Sequence, residues 1–418
     1  MRIVFVTTFP PSPRTPRAYG FLTTLARRHS VTAICLYHCP RDVEDITRLR
    51  AAGIAVIPVY DERARPLSQA LGAFLGDRPL PDGLQALRQV VERQVQAGDV
   101  SVVHAEGLAA AVALVDINAP LVWDAVTSAS LEQRLISESG RFGRLRERLT
   151  HERARVRAKE LVALAGARCA IAATDYERLA LLGAARANAH DGDCACETPV
   201  QVVPSGVDLD WYSVVPGRRH ANRLVYLVEE RRALAAANVE HLLREIMPRV
   251  WAERPDVQLT IVGARRTRRL RALARDTRVT VTGHVADRRP YLSGAALYVN
   301  PAAVALGIES GMLEAMAVGT PVVTLEAGVA GLGAIPGRDL LVASSADRCA
   351  QLITRALADD QLWRSLARSG RIYVERHHAW PLATHQLEAI YRSVTKRNRA
   401  LMSVDAAPPA LVSPGANR

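Results

Sequence analysis

Long apolar runs, cysteine and aromatic side chains are all scarce in this 418-residue sequence. Apolar stretches such as Leu161 to Ala167 fall far short of the roughly 18 residues that a membrane-spanning helix needs, so a soluble or peripheral protein is expected. The six cysteines lack the density and spacing of a disulfide framework, which favours a reducing, cytoplasmic setting. Aromatics make up 5% of the chain while hydrophobic residues reach 49%, which indicates globular domains built on Ala, Leu and Val.

Acidic residues are outnumbered: 42 Asp and Glu stand against 54 Lys and Arg, for a formal net charge of +12. This balance favours phosphate-bearing partners or an anionic membrane surface. No helix-turn-helix, aromatic platform or zinc finger accompanies the charge, so nucleic acid is not an expected partner. The basic run from Arg141 to Lys159 admits two interpretations, a solvated helix face or a contact with anionic lipid or a lipid-linked acceptor.

Short β-branched runs alternate with stretches of helical spacing, a pattern typical of parallel, doubly wound sheets. The alternation stops over 184–199 and begins again at Val200. Two Rossmann-like domains are therefore predicted, 1–199 with 184–199 as linker, and 200–375. A closing helix over 376–397 is expected to return to the first domain, followed by a disordered tail over 398–418. The predicted strands are Ile3–Val6, Val31–Leu36, Ile54–Val59, Ser101–His104, Leu121–Trp123, Cys169–Ala172, Arg223–Leu227, Val257–Val262, Val279–Val281, Leu297–Val299 and Pro321–Val323.

The strongest local pattern for a ligand is the loop, helix and strand over 307–323. Gly307 and Gly311 permit close backbone approach, and the N–H groups near Ser310 at the helix start suit a diphosphate. Glu314, one turn further on, is placed to accept hydrogen bonds from two ribose hydroxyls. A capped helix with a surface Glu is the alternative, and the local pattern does not separate the two.

The stretch from Leu259 to Tyr391 resembles the second domain of the retaining glycosyltransferases of family four, and the hinge segment Val202 to Asp208 is similar as well. The closest resemblance is to the bacterial branch associated with exopolysaccharide and exosortase gene systems. It implies the GT-B fold, an α/β architecture of two facing Rossmann-like domains. The motifs that carry it are Thr260-Ile261-Val262-Gly263, Val281 to Asp287, Leu313 to Ala317, Gly319 to Val323 and Pro336 to Val342.

The resemblance implies transfer of a sugar, with retention, from a nucleotide diphosphate sugar on the second domain to a polysaccharide or lipid-linked glycan on the first. It implies no cofactor beyond that donor substrate, and a cytoplasmic protein that is peripheral to the membrane when its acceptor is a lipid. By position Glu314 would hold the ribose, the start of the helix the phosphates, and 283–285 the base. The donor-binding residues implied are Gly263, Gly283, His284, Val285, Ser310, Gly311, Met312 and Glu314.

Four positions depart from the family's pattern. Leu306 stands where the family has a second acid, Ala237 and Gly311 stand where it has Lys, and Val126 stands where a first-domain His would face the sugar. Cations offset the charge that gathers on a departing diphosphate, so these changes bear on turnover. The catalytic candidates that remain are Glu309, Arg232 and Arg265.

Rival interpretations stay open at this point. One is a catalytically weakened GT-B protein that binds nucleotide or glycan as a partner or scaffold, and another, less favoured, is a nucleotide-sugar epimerase. The segment His190 to Cys196 has metal-ligand residue types without zinc spacing, so it is interpreted as linker and no metal is expected. His104 either faces the acceptor or is a hydrogen-bonded structural residue.

Overall fold

A computed structural model describes residues 1–62, 80–138, 146–186, 198–214, 219–228, 235–264, 267, 270, 272, 274–303 and 307–405. Within these ranges the strands form two separate sheets, and every pairing in both is parallel. This is the predicted class of architecture. We call the residues around the first sheet the first unit and those around the second sheet the second unit.

The first sheet has seven strands in the order β3-β2-β1-β4-β5-β6-β7. The strand β1, third in this order, is apolar on both faces, as strands covered by helices on both sides must be: Ile3, Phe5 and Val6 are fully buried. The order of strands reverses between β1 and β4, which places a switch point there. The strands are Arg2–Thr7 (β1), Ser30–Tyr37 (β2), Ala55–Tyr60 (β3), Val102–Glu106 (β4), Leu121–Val126 (β5), Cys169–Ala172 (β6) and Val200–Val202 (β7).

The second sheet has six strands in the order β10-β9-β8-β11-β12-β13, with its switch point between β8 and β11. Its interior is again continuous and apolar, with Leu224, Leu259 and Val299 fully buried. The strands are Arg223–Leu227 (β8), Gln258–Val262 (β9), Val279–Gly283 (β10), Leu297–Asn300 (β11), Val322–Leu325 (β12) and Leu341–Ala343 (β13).

Helices connect most of the successive strands, and several of those described begin with side-chain caps. Ser345 accepts from the N–H of Arg348, and Asp359 accepts from the N–H of Leu362. A π-helical turn over Leu242–Ile246 and a 3₁₀ turn over Glu326–Val329 complete the set. The helices are Pro16–Leu25 (α1), Pro40–Ala51 (α2), Asp82–Gln96 (α3), Leu108–Ala113 (α4), Ala129–Glu138 (α5), Arg146–Gly166 (α6), Asp175–Arg186 (α7), Ala235–His241 (α8), Met247–Glu253 (α9), Arg289–Ser293 (α10), Ser310–Ala317 (α11), Ala346–Ala358 (α12), Asp360–His377 (α13) and Trp380–Asp405 (α14).

The last helix crosses back to the first unit. Ala383, Leu387 and Tyr391 of α14 are buried in one apolar cluster with β1 and α1. At its start, the indole of Trp380 packs edge-on against Phe21, with ring centroids 5.2 Å apart. Because the segment between the sheets also contacts this indole at Gly206, α14 fixes the chain crossing between the two units.

Two sequence expectations were wrong in detail. Val200 was expected to open the second sheet, but β7 pairs with β6 and completes the edge of the first, so the second sheet begins at Arg223. Residues 398–405 were expected to be disordered, but they continue α14, which reaches Asp405. The remainder of the predicted tail, 406–418, and most of the predicted linker, 187–197, lie outside the described residues.

Candidate functional site

The carboxyl-terminal ends of the two sheets face each other, and glycines permit the loops there to touch. Gly307 has φ of +78°, which favours glycine, and a Cβ there would lie 2.7 Å from Oε1 of Glu177 on α7, so a side chain would displace the Glu177 carboxylate. Gly331, with φ of +80°, would place a Cβ 2.6 Å from the Cβ of Thr174, just after β6. These approaches enclose a cleft between strand ends, where open α/β sheets bind ligands.

Cationic side chains also reach across this cleft. The Nη2 of Arg41, on α2, lies 2.6 Å from Nδ1 and 2.8 Å from Nε2 of His284, which follows β10. The Nη2 of Arg288 donates to the carbonyl oxygen of Pro13 in the loop after β1, at 3.2 Å. Two arginines therefore stand near the residues that the sequence assigned to a nucleotide diphosphate.

The loop and helix predicted over 307–317 form as α11. Glu309 is 5% exposed and precedes the helix, and Ser310 is its first residue. Gly311 packs tightly: a Cβ would lie 2.5 Å from the Tyr298 hydroxyl, which explains in local terms why no long side chain stands there. Met312 is fully buried, and its Sδ accepts a hydrogen bond of 3.0 Å from Asn300, so its side chain belongs to the core.

Glu314 is not a surface residue, so the alternative of a capped helix with an exposed Glu was wrong. Its side chain is 3% exposed, and Oε1 accepts a 2.8 Å hydrogen bond from Nη2 of Arg288. Tyr212 belongs to the same group, since burial and then the Glu314 charge raise the pKa of its hydroxyl. The carboxylate that the sequence assigned to ribose is thus held by a guanidinium at the switch point of the second sheet.

The predicted base-binding residues lie together. Gly263 follows β9 and Gly283 ends β10, with φ of +89° and +72°, and the N–H of Gly263 donates to the carbonyl of Gly283 at 2.9 Å. His284 is exposed, and Val285 is half-buried against the second core. The loops after β9 and β10 therefore form one joined surface beside α11.

Some of the catalytic candidates and of the positions that depart from the family's pattern lie within the described residues, and others do not. Arg232, Arg265 and Leu306 lie outside the described residues. Ala237 is half-buried on α8. Val126, at the end of β5, has φ of +57°, an uncommon conformation for a β-branched residue, and its N–H donates to Oδ1 of Asp124 at 3.0 Å. The turn at this position is therefore set by the buried Asp124 carboxylate.

Sequence reasoning missed a buried charge network in the first unit. Asp124 is fully buried and Arg17 is 5% exposed, and Nε of Arg17 donates to Oδ2 of Asp124 at 2.8 Å. Nη1 of Arg17 continues to the carbonyl oxygen of Val203 at 2.9 Å and to Ser205 at 3.2 Å. The one sequence signal was a charged residue, Asp124, directly after an apolar strand.

His104 belongs to the same network and does not face the cleft. Its ring is fully buried, stacks on Phe5 at 4.2 Å, and its Nδ1 bonds the Tyr391 hydroxyl at 2.9 Å. Burial lowers the pKa of His104 to about 4, while Asp124 raises it and Arg17 lowers it by smaller amounts. The structural interpretation of His104 is confirmed.

One group of potential metal ligands occurs within the described ranges. Ligand atoms of His38, Cys39 and Asp42 lie within 4.8 Å of one another at the start of α2. Oδ2 of Asp42 already accepts the N–H of His38 at 3.0 Å, which closes the turn into the helix, and the positive end of the helix disfavours a cation. We assign these residues to the turn. The segment His190 to Cys196 lies outside the described residues.

Part of the second unit is similar to known proteins. Residues 226–359 match the family model described as "Glycosyl transferases group 1". A GDP-mannose-dependent monoacylated alpha-(1-6)-phosphatidylinositol monomannoside mannosyltransferase from Corynebacterium glutamicum is 30% identical over 213 residues, which are 46% of this chain and 55% of that protein. The chain thus spans about half the length of this curated relative.

Solved structures match almost the whole chain. Sucrose-phosphate synthase from Thermosynechococcus elongatus has a TM-score of 0.70 at 18% identity, covering 95% of this chain and 99% of that one. Anabaena Alr3699/HepE, in complex with UDP and glucose, has a TM-score of 0.67 at 17% identity, covering 94% and 100%. The fold is GT-B. The prediction of two facing Rossmann-like units is confirmed, and residues 226–359 are similar to the group 1 glycosyltransferases. No helix among the described residues is long and apolar enough to cross a membrane.

Proposed function

We propose that this protein is a glycosyltransferase that moves a sugar, with retention, from a nucleotide diphosphate sugar to a polysaccharide or lipid-linked glycan. The observation that carries the proposal is the placement of α11. This helix lies inside the region of group 1 type, follows the central strand β11 at the switch point, and presents Glu314 beside the glycine loops of β9 and β10.

Each part of the second unit then has a task in donor binding. The N–H groups of Ser310 and Gly311, at the positive end of α11, bind the diphosphate. Glu314 accepts hydrogen bonds from the ribose hydroxyls, and the backbone of 283–285 contacts the base. Gly263 lines the cleft beside them, where a side chain would narrow the donor site.

Charge compensation for the departing diphosphate is assigned to arginine. Preorganised cations accelerate transfer when they interact more strongly with the transition state than with the bound donor. Arg232 and Arg265 remain our proposals for this role, and Glu309 remains the proposed catalytic carboxylate. Arg41 joins them as a candidate, because its contact with His284 places it across from the donor loops.

A lipid-linked acceptor would bring the first unit to a membrane. The basic run from Arg141 to Lys159 includes the start of α6, and exposed apolar side chains accompany it: Val162 on α6 is 47% exposed and Leu179 on the adjacent α7 is 60% exposed. A basic helix beside exposed apolar groups suits an anionic lipid surface. The Corynebacterium relative is, by its name, a transferase acting on a phosphatidylinositol mannoside.

The donor proposal is tested by a thermal-shift panel of UDP, GDP and their sugar conjugates, followed by transfer and donor-hydrolysis assays on each ligand that stabilises the protein. Stabilisation by at least one nucleotide diphosphate is expected. Glu314→Ala should weaken its binding by about 1 to 3 kcal/mol, because two hydrogen bonds to a charged group are lost. Glu253→Ala, which removes an exposed carboxylate on α9, is the matched control. Equal affinity in both variants would reject the assignment of Glu314, and binding without any transfer would favour the scaffold interpretation.

The membrane proposal is tested by co-sedimentation with vesicles. Binding to vesicles that contain anionic lipid should exceed binding to neutral vesicles and should fall with added salt. Val162→Ser together with Leu179→Ser should reduce it, while Tyr60→Ser, which removes an exposed apolar group at the far edge of the first sheet, should not. Equal binding by both variants would assign the basic run to a solvated face.

A further inference from the structure

Arg288 contacts acceptors on both sides of the cleft with a single amino group. Its Nη2 donates to Oε1 of Glu314 at 2.8 Å and to the carbonyl oxygen of Pro13 at 3.2 Å. An arginine Nη carries two N–H bonds at a fixed angle, so one can point to each acceptor. The side chain is 18% exposed, and the guanidinium is therefore held in one direction by the second unit and the first together.

The Pro13 end of this contact is stiff. The N–H of Ser12 donates to Oγ1 of Thr15 at 2.9 Å, and the N–H of Thr15 donates back to the carbonyl of Ser12 at 2.7 Å. Pro13 lies between these two hydrogen-bonded residues, and its ring fixes its φ. The backbone that carries its carbonyl oxygen therefore has little freedom to move. Arg14 is tied in turn to Asp45 on α2. The first unit thus offers Arg288 a fixed acceptor.

Arg288 supplies the cation beside Glu314, and it orients the carboxylate together with the Tyr212 hydroxyl. A buried carboxylate without a cation gains a proton, and a protonated carboxyl accepts hydrogen bonds from hydroxyl groups less well. A hydrogen bond with a charged donor is both stronger and more directional than a neutral one. Removing the guanidinium would therefore change how Glu314 presents its oxygens, even with the helix intact.

We propose that Arg288 is a positioning residue for ribose recognition. It holds the Glu314 carboxylate in the orientation that accepts hydrogen bonds from the 2′- and 3′-hydroxyls, and it ties this orientation to the first unit through Pro13. The inference rests on the proposed function, in which Glu314 faces the ribose of a nucleoside diphosphate. It adds a residue, and a dependence of nucleotide selectivity on the first unit, that the sequence motif alone did not assign.

The neighbouring Arg289 provides a matched control. It stands one position along, at the start of α10, but its Nη2 pairs with Asp287 at 2.8 Å and its guanidinium stacks over the Trp211 ring at 3.5 Å. Replacing Arg289 removes the same charge from the same turn while leaving the pair of Arg288 and Glu314 in place.

The test is ribose selectivity, measured on the full chain by calorimetry as the ratio of Kd for 2′-deoxy-UDP to Kd for UDP, and likewise for the GDP pair. The wild type should prefer the ribonucleotide by roughly 10-fold or more, since one hydrogen bond to a charged group is at stake. Arg288→Ala should lower the ratio to that of Glu314→Ala. Arg288→Lys should restore part of it, and Arg289→Ala should leave it unchanged. A merely structural role for Arg288 would weaken both nucleotides equally and leave the ratio intact.

Two failures are distinguishable. A wild type that binds neither UDP nor GDP, or a Glu314→Ala variant that keeps the wild-type ratio, would overturn the proposed function and the inference with it. A Glu314→Ala variant that loses the ratio while Arg288→Ala keeps it would overturn the inference alone. Circular dichroism establishes that each variant is folded, and if Arg288→Ala does not fold, Arg288→Gln and Arg288→Lys decide by the same ratio.

Discussion

The two units share a parallel-sheet plan but use charge and backbone differently. In the first, the pair of Arg17 and Asp124 is buried inside the unit, and Arg17 donates further hydrogen bonds to the crossing segment. In the second, the pair of Arg288 and Glu314 lies at the cleft and reaches the opposite unit. The first arrangement ties the first unit to the crossing segment, whereas the second joins the two units and includes the carboxylate that we propose binds ribose.

The loops at the strand ends of the two units also differ, in the stiffness of their backbone. The loop after β1 contains Pro10, Pro11 and Pro13, which stiffen the backbone and remove N–H donors. The loops after β9 and β10 begin instead at Gly263 and Gly283, whose positive φ angles turn the backbone sharply. Nucleotide recognition uses close backbone approach, so this difference agrees with the proposed placement of the donor on the second unit.

The largest expected effect is a loss of stability when the buried charge pair of the first unit is broken. Asp124→Ala leaves the Arg17 guanidinium buried without its counter-charge, which should reduce the free energy of unfolding by about 3 to 5 kcal/mol. Urea denaturation followed by circular dichroism measures it. The control is Asp256→Ala, which breaks the exposed pair with Arg254 and should change stability little. Similar losses in the two variants would show that the buried network contributes no more than a surface pair.

A second prediction concerns the packing that fixes the crossing between the units. Gly20→Ala on α1 places a Cβ into the indole of Trp380 and should cost about 1 to 3 kcal/mol. Gly183→Ala is the matched helical control, because a Cβ there meets nothing within 4 Å. Alanine is the better helix former, so this control should gain up to about 1 kcal/mol in an unfolding titration. If the free energy of unfolding changed in the same direction in both variants, contact with the indole would not be the cause of the change.

The sequence predicted what depends on local pattern and missed what depends on distant partners. Alternation of apolar runs was enough for the parallel sheets, and the spacing of Gly307, Ser310 and Glu314 was enough for α11. Pairing of Arg288 with Glu314 needs β10 and α11 to be neighbours, which no periodicity reveals. Likewise β7 is three residues long, and only the free edge of β6 determines which sheet it joins.

A third prediction separates backbone strain from ligand contact. Gly263→Ala forces alanine to a φ of +89° with its Cβ 3.0 Å from the Val228 carbonyl oxygen, at a cost of about 1 to 2 kcal/mol in stability. Gly53→Ala imposes a comparable φ of +78° in an open turn before β3. Both variants should be destabilised, but calorimetry with UDP and GDP should show weaker binding only for Gly263→Ala. Unchanged affinity in both would remove Gly263 from the donor site.

The last prediction is a pH dependence that originates in the first unit. Burial holds the pKa of His104 at about 4 in the folded protein, against about 6.5 in the unfolded chain. Between these values the unfolded chain binds the additional proton, so stability rises with pH across that window and is lost as pH falls from about 6.5 towards 4. For one proton the slope approaches about 1.4 kcal/mol per pH unit.

Urea titrations at several pH values should therefore show that the wild type loses stability more steeply in acid than His104→Gln, which has no ring to protonate. His220→Gln, at an exposed position, should follow the wild-type curve. Parallel curves of stability against pH for the wild type and His104→Gln would mean that the ring is hydrated or already charged in the folded state. The buried polar groups of the first unit would then not serve stability alone.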